Sequence, residues 1–298
     1  MNRFNKYNMT NISFQDIDNL INDYLEQVGN SYLKKVSIGI KNEDLEINIE
    51  PYYFESSKWN IFVKLIKNKN VNFWFRDDDA GIDDEGLEFL VNFMNELNVN
   101  LFIAAIPVKV SNYLATKLKK YSNISIGQHG FSHKNYSLVG QSEYPKDRNK
   151  DEVRNELIIG RKNLKDIFKD KFINIFIPPW FEIDEETKKI LAQEKYGAIS
   201  NYWDNNINKY NLIEANCQID FVNWNKAYTF GGEDFVLMQL ISELLKDKEI
   251  YNIGILLHHE RMGKESYYFL NKLINVIKDN SSIISIKDLI NSMGVQND

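Results

Sequence analysis

Histidine, proline and cysteine are the scarce residues of this 298-residue chain, which has four, five and one of them. A single cysteine, Cys217, closes no internal disulfide and fits a reducing compartment. Basic residues are not in excess: 36 Lys and Arg against 42 Asp and Glu give a formal net charge of -6. That balance argues against a nucleic-acid surface, which needs a clustered cationic face. No apolar run reaches the roughly 18 residues of a membrane-spanning helix. The stretch 1–15 is polar and rich in Asn, without the apolar core of a secretion signal, so the chain reads as cytoplasmic. What is present is core material. Hydrophobic residues make up 43% and aromatics 13%, which rules out wholesale disorder. The length suits one large domain, or one domain with an extension.

Residues 1–70 differ in pattern from the rest. Ile17, Leu20, Ile21, Tyr24 and Leu25 recur at helical spacing and predict a helix over about 14–28. Val36–Ile40 and Leu45–Ile49 alternate with period two around a polar Lys41–Asp44 turn, the mark of a hairpin. From Val71 the order becomes strand, loop, helix, repeated. Strands are expected over Val71–Phe75, Leu101–Ile106, Ile124–Gly127, Phe172–Ile177 and Ile253–Leu257, with weaker ones over Ala198–Tyr202 and Gln218–Val222. Helices are expected over Asp84–Leu97, Asn112–Tyr121, Lys150–Phe168, Glu185–Gln193, Phe235–Leu245 and Tyr267–Ile277. Such alternation implies βαβ units on a parallel sheet. The expected class is α/β: a distorted (β/α)7-type barrel over 71–298, with an N-terminal α+β extension over 1–70. No tandem repeat is visible.

All four histidines stand at the ends of strands. His129 and His133 follow the strand at Ile124, and His258 and His259 follow the one at Ile253. Arg76-Asp77-Asp78-Asp79-Ala80-Gly81 follows the strand at Val71. In a parallel barrel, functional groups gather at these C-terminal strand ends. Imidazoles with carboxylates form the ligand set of a divalent ion such as zinc. Two imidazoles and one carboxylate leave a position open for water and substrate, and the remaining Asp and His can serve as base and acid. Each piece also has a plain reading. Three aspartates before a glycine can cap a helix. Asp77, Asp79 and Asp83 could form a calcium loop, although Gly81 comes one place early for it. A His pair four residues apart is often incidental. Pro178-Pro179-Trp180 can be only a stiff turn carrying a core aromatic. Agreement of order, strand-end placement and ligand type favours the chemical reading.

Taken in order, Asp-Asp-small, His-x-x-x-His, Pro-Pro-aromatic and Leu-His resemble the NodB-type polysaccharide deacetylases (carbohydrate esterase family 4), over roughly residues 71–280. The resemblance implies a distorted barrel and a metal-dependent hydrolase that removes acetyl groups from N-acetylated sugars. The family's Thr-Phe-Asp-Asp-Gly lies on Arg76–Ala80, which implies Asp78 as general base and Asp79 as metal ligand. The register one residue earlier, on Asp77 and Asp78, stays open. His-Ser/Thr-x-x-His matches His129–His133 and implies both as metal ligands. Arg-Pro-Pro-Tyr-Gly falls on Ile177–Phe181, so Pro179 and Trp180 would line the groove while the family's Arg is Ile177. Asp-x-x-Asp-Trp falls on Asp220–Trp224, so Trp224 would meet substrate while the second Asp is Asn223. Leu-His matches Leu257-His258 and implies His258 as the acid.

The two departures concern residues that tune the base and the acid. Arg76 or Arg148 could supply the missing guanidinium, and Asp220 or Glu260 the missing carboxylate; Asp77 and His259 complete the surrounding polar set. The implied cofactor is a divalent metal, Zn2+ first, with Co2+ or Ni2+ in the same ligand set. The implied partner is an acetylated sugar or glycan, with no nucleic acid. Two alternatives keep the barrel: an O-acetyl esterase or non-sugar amidase, and a weakly catalytic barrel that binds glycan. Nothing in the sequence sets the oligomeric state.

Overall fold

A computed structural model describes residues 33–41, 44–52, 57–202, 210–225 and 228–294. The helix expected over 14–28 lies outside them. In chain order the elements are β1 (Leu33–Lys41), β2 (Asp44–Tyr52), α1 (Ser57–Asn68), β3 (Val71–Ala80), α2 (Asp84–Glu96), β4 (Leu101–Ala105) and α3 (Asn112–Leu118). Then come β5 (Ile124–His129), α4 (Lys150–Phe168), β6 (Phe172–Ile177), α5 (Glu185–Gln193), β7 (Ala198–Ile199), β8 (Ile213–Glu214) and β9 (Cys217–Asp220). The chain continues through β10 (Val222–Asn223), β11 (Thr229–Phe230), α6 (Glu233–Leu245), β12 (Tyr251–Leu257), α7 (Lys264–Asn280), β13 (Ser282–Ile283) and α8 (Ile286–Ser292). The described residues divide into two compact units. One draws on those within 33–73, 219–253 and 263–282; the other on those within 74–218, 254–262 and 283–294.

In the first unit, β1 and β2 pair antiparallel, with Val36 opposite Ile49, Ile38 opposite Ile47 and Ile40 opposite Leu45. This is the hairpin that the period-two alternation predicts. The unassigned stretch before Val71 forms α1, because Trp59, Phe62, Leu65 and Ile66 fall on one face and are buried. Helix α6 is buried nearly all round, from Val236 through Leu245. The Trp59 indole donates to Glu233 Oε1 at 2.6 Å, and Lys272 sits 4.4 Å over its ring. Phe269 stacks against Trp59, Phe221 and Phe230 at centroid distances of 5.9, 5.6 and 5.5 Å.

The second unit carries most of the main sheet, whose strand order is β8-β7-β6-β5-β4-β3-β12-β9. Successive pairs from β3 to β8 are parallel, and the sheet curls into a half-barrel wrapped by helices. Strands enclosed on both faces read as continuous apolar runs, as β4 does with all five residues buried. Alternate side chains of β6 enter two different cores. Ile173, Ile175 and Ile177 join Trp74, Phe102 and Leu256, together with Ile286, Leu289 and Ile290 of α8. Phe176 points the other way, to Tyr144, Leu157 and Tyr196. Ile177, standing where the resemblance expects an arginine, is therefore a fully buried core residue. Gly127 is built for the same core, since a Cβ there would lie 2.4 Å from Phe102 Cζ and 2.8 Å from Ile177 Cδ1.

Two expected strands are shorter than their apolar runs. Strand β7 stops at Ile199 because the next polar groups leave the ladder: Ser200 Oγ accepts from Arg76, and Asn201 N donates to Asn216 Oδ1. The Gln218–Val222 run divides into β9 and β10, and β10 pairs with β11. Replacing Phe176 with Ala should cost about 3–5 kcal/mol of unfolding free energy in a urea titration. Ile159→Ala, at a site 49% exposed, should change it by less than about 0.5 kcal/mol.

Candidate metal centre

Three consecutive aspartates end β3, and each takes a different partner. Arg76 and Asp78 are two apart, hence on one face of the strand. The fully buried Arg76 guanidinium forks onto Asp78, with Nε 2.9 Å from Oδ1 and Nη2 3.1 Å from Oδ2. Its Nη1 donates to Ser200 Oγ at 2.7 Å and to the Asn201 carbonyl at 3.3 Å. Asp77 faces the other way and accepts from His259 N at 2.9 Å and from His259 Nδ1 at 2.7 Å. The opposite ring nitrogen, Nε2, meets the Ile82 carbonyl at 2.6 Å. Both ring nitrogens therefore face acceptors. Burial opposes a charge on His259, but Asp77 and that carbonyl outweigh it and push the imidazole up to about 9. Beyond Asp77 the pairing with β4 slips, and Asp79 adopts φ 72°. This irregularity takes Asp79 out of strand alternation and turns its carboxylate toward the histidine loop.

Strand β5 ends at His129, whose Nδ1 is 3.2 Å from the carbonyl of Ile177 on β6. Its Nε2 lies 3.2 Å from Asp79 Oδ1, and His133 Nε2 lies 2.9 Å from the same oxygen. The three candidate ligand atoms are all within 4.8 Å of one another. The loop between the histidines is held by a residue that the sequence reading does not single out. Glu143, fully buried, accepts from Phe131 N (3.1 Å), Ser132 N (2.7 Å), Ser132 Oγ (2.9 Å) and His133 N (3.1 Å). Three successive N–H groups converging on one carboxylate form an anion nest filled from within the chain. Left-handed φ values of 55° at both Gly130 and His133 shape that nest. Trp180, itself at φ 54°, packs its ring 4.3 Å from the His133 ring. Asp79, His133 and Trp180 are thus three non-glycine residues in an unfavourable backbone region within one cluster, a concentration typical of functional sites.

The donor set suits a cation. A proton on His129 Nδ1 is matched to the Ile177 carbonyl, so in the neutral tautomer the Nε2 lone pair faces a carboxylate oxygen. Two facing lone pairs repel unless a proton or a metal ion lies between them. Burial alone would raise the Asp79 carboxyl, yet hydrogen bonds from His129 and His133 hold it well below the usual carboxylate range. Asp79, His129 and His133 fit a divalent ion that accepts imidazole nitrogen with a carboxylate, as Zn2+, Co2+ and Ni2+ do.

His258 closes the same neighbourhood. It is buried, and its charge state responds to Asp78, Asp79, Arg76 and His129. Burial dominates and pushes its imidazole down to about 4. Pro179 packs against the loop, its Cγ 2.6 Å from where a Cβ on Gly130 would stand. Other expected residues are engaged elsewhere. Arg148 pairs with Glu156 at 2.8 and 2.9 Å and stacks 3.9 Å over Tyr136, and Glu260 pairs with Arg261. Asp220 and Trp224 belong to the first unit, where the Trp224 indole donates to Asp220 Oδ2 at 2.8 Å. The Asn223 side chain accepts from Asn225 N within a local turn.

Glu143→Gln replaces an acceptor oxygen with a donor opposite those N–H groups. It should weaken divalent-metal affinity by about 10–100-fold in calorimetric titration while the circular dichroism stays native. His259 should give a pH signature. Its folded pKa near 9 lies above the unfolded value near 6.5, so its contribution is complete below pH ~6.5 and is lost as pH rises through about 9. The stability gap between wild type and His259→Gln should narrow across that window in pH-dependent denaturant melts.

No protein-family model matches the chain, and no curated protein matches it. Solved structures do. A family 4 acetyl xylan esterase from Clostridium thermocellum, in complex with a cobalt ion, aligns with TM-score 0.51 and 14% identity over 76% of this chain and 93% of that one. A putative polysaccharide deacetylase from Mycobacterium smegmatis aligns with TM-score 0.54 and 13% identity over 75% and 90%. A family 4 pseudoenzyme from Bacillus anthracis aligns with TM-score 0.51 and 16% identity over 75% and 66%. The chain has the fold of the NodB-type polysaccharide deacetylases, carbohydrate esterase family 4, in a sequence that has diverged far from theirs.

Proposed function

We propose that the chain is a divergent metal-dependent deacetylase that releases acetyl groups from an N-acetylated sugar or glycan. The observation that carries this reading is the convergence of His129 Nε2 and His133 Nε2 on Asp79 Oδ1, beside the Arg76–Asp78 fork and His258. A divalent ion held by Asp79, His129 and His133 would supply Lewis acidity toward an acetyl carbonyl and its attacking water. Asp78 takes the proton of that water, and Arg76 holds the carboxylate in one orientation through a hydrogen bond from Nη2 and an ion-pair contact from Nε. Trp180 beside His133 offers a flat apolar wall to a sugar ring. In this reading residues 71–298 are the deacetylase portion, residues 1–70 extend it, and the chain works in the cytoplasm.

In this reading His258 would protonate the departing amine, and its environment bears on the choice of substrate. Burial pushes its imidazole down to about 4, against the upward pull of Asp78 and Asp79. Expelling an amine requires a proton more strictly than expelling a sugar alkoxide does, so the same observation favours an O-acetyl esterase as the second reading. Pushed further, it favours a barrel that binds acetylated glycan without turnover.

His129→Ala and His133→Ala should each abolish both bound metal, measured by mass spectrometry of the native protein, and acetate release from N- and O-acetylated oligosaccharides. Stoichiometric metal in both variants would remove the site assignment. Faster release from O-acetyl than from N-acetyl substrates would select the esterase, and tight glycan binding with no acetate at all would select the binder.

A further inference from the structure

Five residues beyond His133, the chain presents its two most exposed large apolar side chains among the described residues: Leu138 at 94% and Val139 at 90%. They form the tip of a loop over 134–142 that is braced from within. Asn135 Oδ1 accepts from Ser137 N and Ser142 N, at 2.9 and 3.1 Å, and its Nδ2 donates to the Gly140 carbonyl. Ser137 Oγ donates to the Val139 carbonyl at 2.7 Å and accepts from Val139 N at 3.3 Å. Tyr136 N donates to the Ser142 carbonyl. A loop standing in water has no need to satisfy its backbone internally, since water serves. A loop entering an apolar phase does, because each unpaired backbone group there is costly.

The base of the loop carries cations and an aromatic ring. Tyr136 lies under both the Lys134 ammonium, at 5.0 Å, and the Arg148 guanidinium, at 3.9 Å. Lys134 and Lys146 are exposed, with exposed Asp147 beside Lys146 and Arg148 paired to Glu156, which leaves Lys134 as the cation at the loop base without an acidic neighbour in the chain. Two aliphatic side chains above a tyrosine and lysines match the layering of a bilayer surface, acyl chains first and anionic headgroups next. A convex two-residue tip is far smaller than the roughly 800 Å² that each partner contributes to a stable protein interface. We infer that the 134–142 loop is a docking wedge for an anionic lipid bilayer, placing the metal centre at the membrane surface. Five extended residues span at most about 18 Å, so a docked wedge keeps His133 within that reach of the interface. That distance fits an acetylated glycan carried on a lipid. The substrate class rests on the deacetylase reading; the docking does not.

Flotation of the full chain with phosphatidylcholine vesicles, with and without phosphatidylglycerol, tests the inference. Wild type should float with the anionic vesicles and less with the neutral ones. Leu138→Ser/Val139→Ser should lose about a hundredfold in partitioning, since each of the two apolar side chains withdrawn from water is worth roughly tenfold. Lys134→Glu should weaken binding to anionic vesicles alone, and His129→Ala should float like wild type. Equal flotation of the double variant, or no flotation of wild type, overturns the wedge. So does wild-type self-association that the double variant abolishes without any vesicle binding. Acetate release from a vesicle-embedded acetylated glycolipid should fall in the double variant, with release from a soluble oligosaccharide unchanged. Vesicle binding without turnover of either substrate would refute the deacetylase reading and leave the docking intact.

Discussion

The site depends on a break in the regularity of one strand. In an unbroken β3, Asp77 and Asp79 would share a face and compete for the same partners. The slipped register and the left-handed backbone at Asp79 separate them, so that three adjacent carboxylates end in three different environments. Asp77 binds the His259 imidazolium, Asp78 the Arg76 guanidinium, and Asp79 the histidine pair. Three negative charges within three residues would repel strongly in a buried place, and only separate cationic partners make the cluster tolerable. Arg76 and His259 supply two of them from the chain. The third position, between Asp79 and the two imidazoles, is where a metal ion's charge would fall.

The parts legible in the sequence are those whose chemistry restricts residue type. A ligand pair needs imidazoles, the chain has four histidines, and all four stand at strand ends. The β3–β6 strands were legible because enclosed strands must be apolar throughout, as β4 and Ile175–Ile177 are. Glu143 was not legible. It is one of 42 acidic residues, and its role rests on a fold-back contact from a loop with no periodic signal. The partner of Asp78 was only half legible, since Arg76 and Arg148 look equivalent as residue types. Burial separates them: Arg76 lies within the sheet, whereas Arg148 is committed to Glu156 and Tyr136. Helix α1 carries an amphipathic spacing in Trp59, Phe62, Leu65 and Ile66, whereas the seven-residue α8 is too short for its spacing to stand out.

The two departures from the family pattern have different physical characters. Ile177 is balanced: the apolar side chain completes the core of Phe102 and Gly127, while a guanidinium reaches Asp78 from two residues up its own strand. Asn223 has no such balance. Its side chain serves a local turn, and Asp220 accepts from the Trp224 indole and from Val222 N.

The nest around Glu143 also restricts how the loop can change over generations. A Cβ at position 130 would stand 1.9 Å from Glu143 Oε2 and 2.6 Å from Pro179 Cγ, on a backbone at φ 55°, so the Ser or Thr that the family motif carries there would strain the loop. Glycine at 130 and glutamate at 143 are therefore sterically coupled. Changing either one alone brings a clash or leaves a ring of N–H groups unfilled, so the histidine loop is braced from outside its own motif.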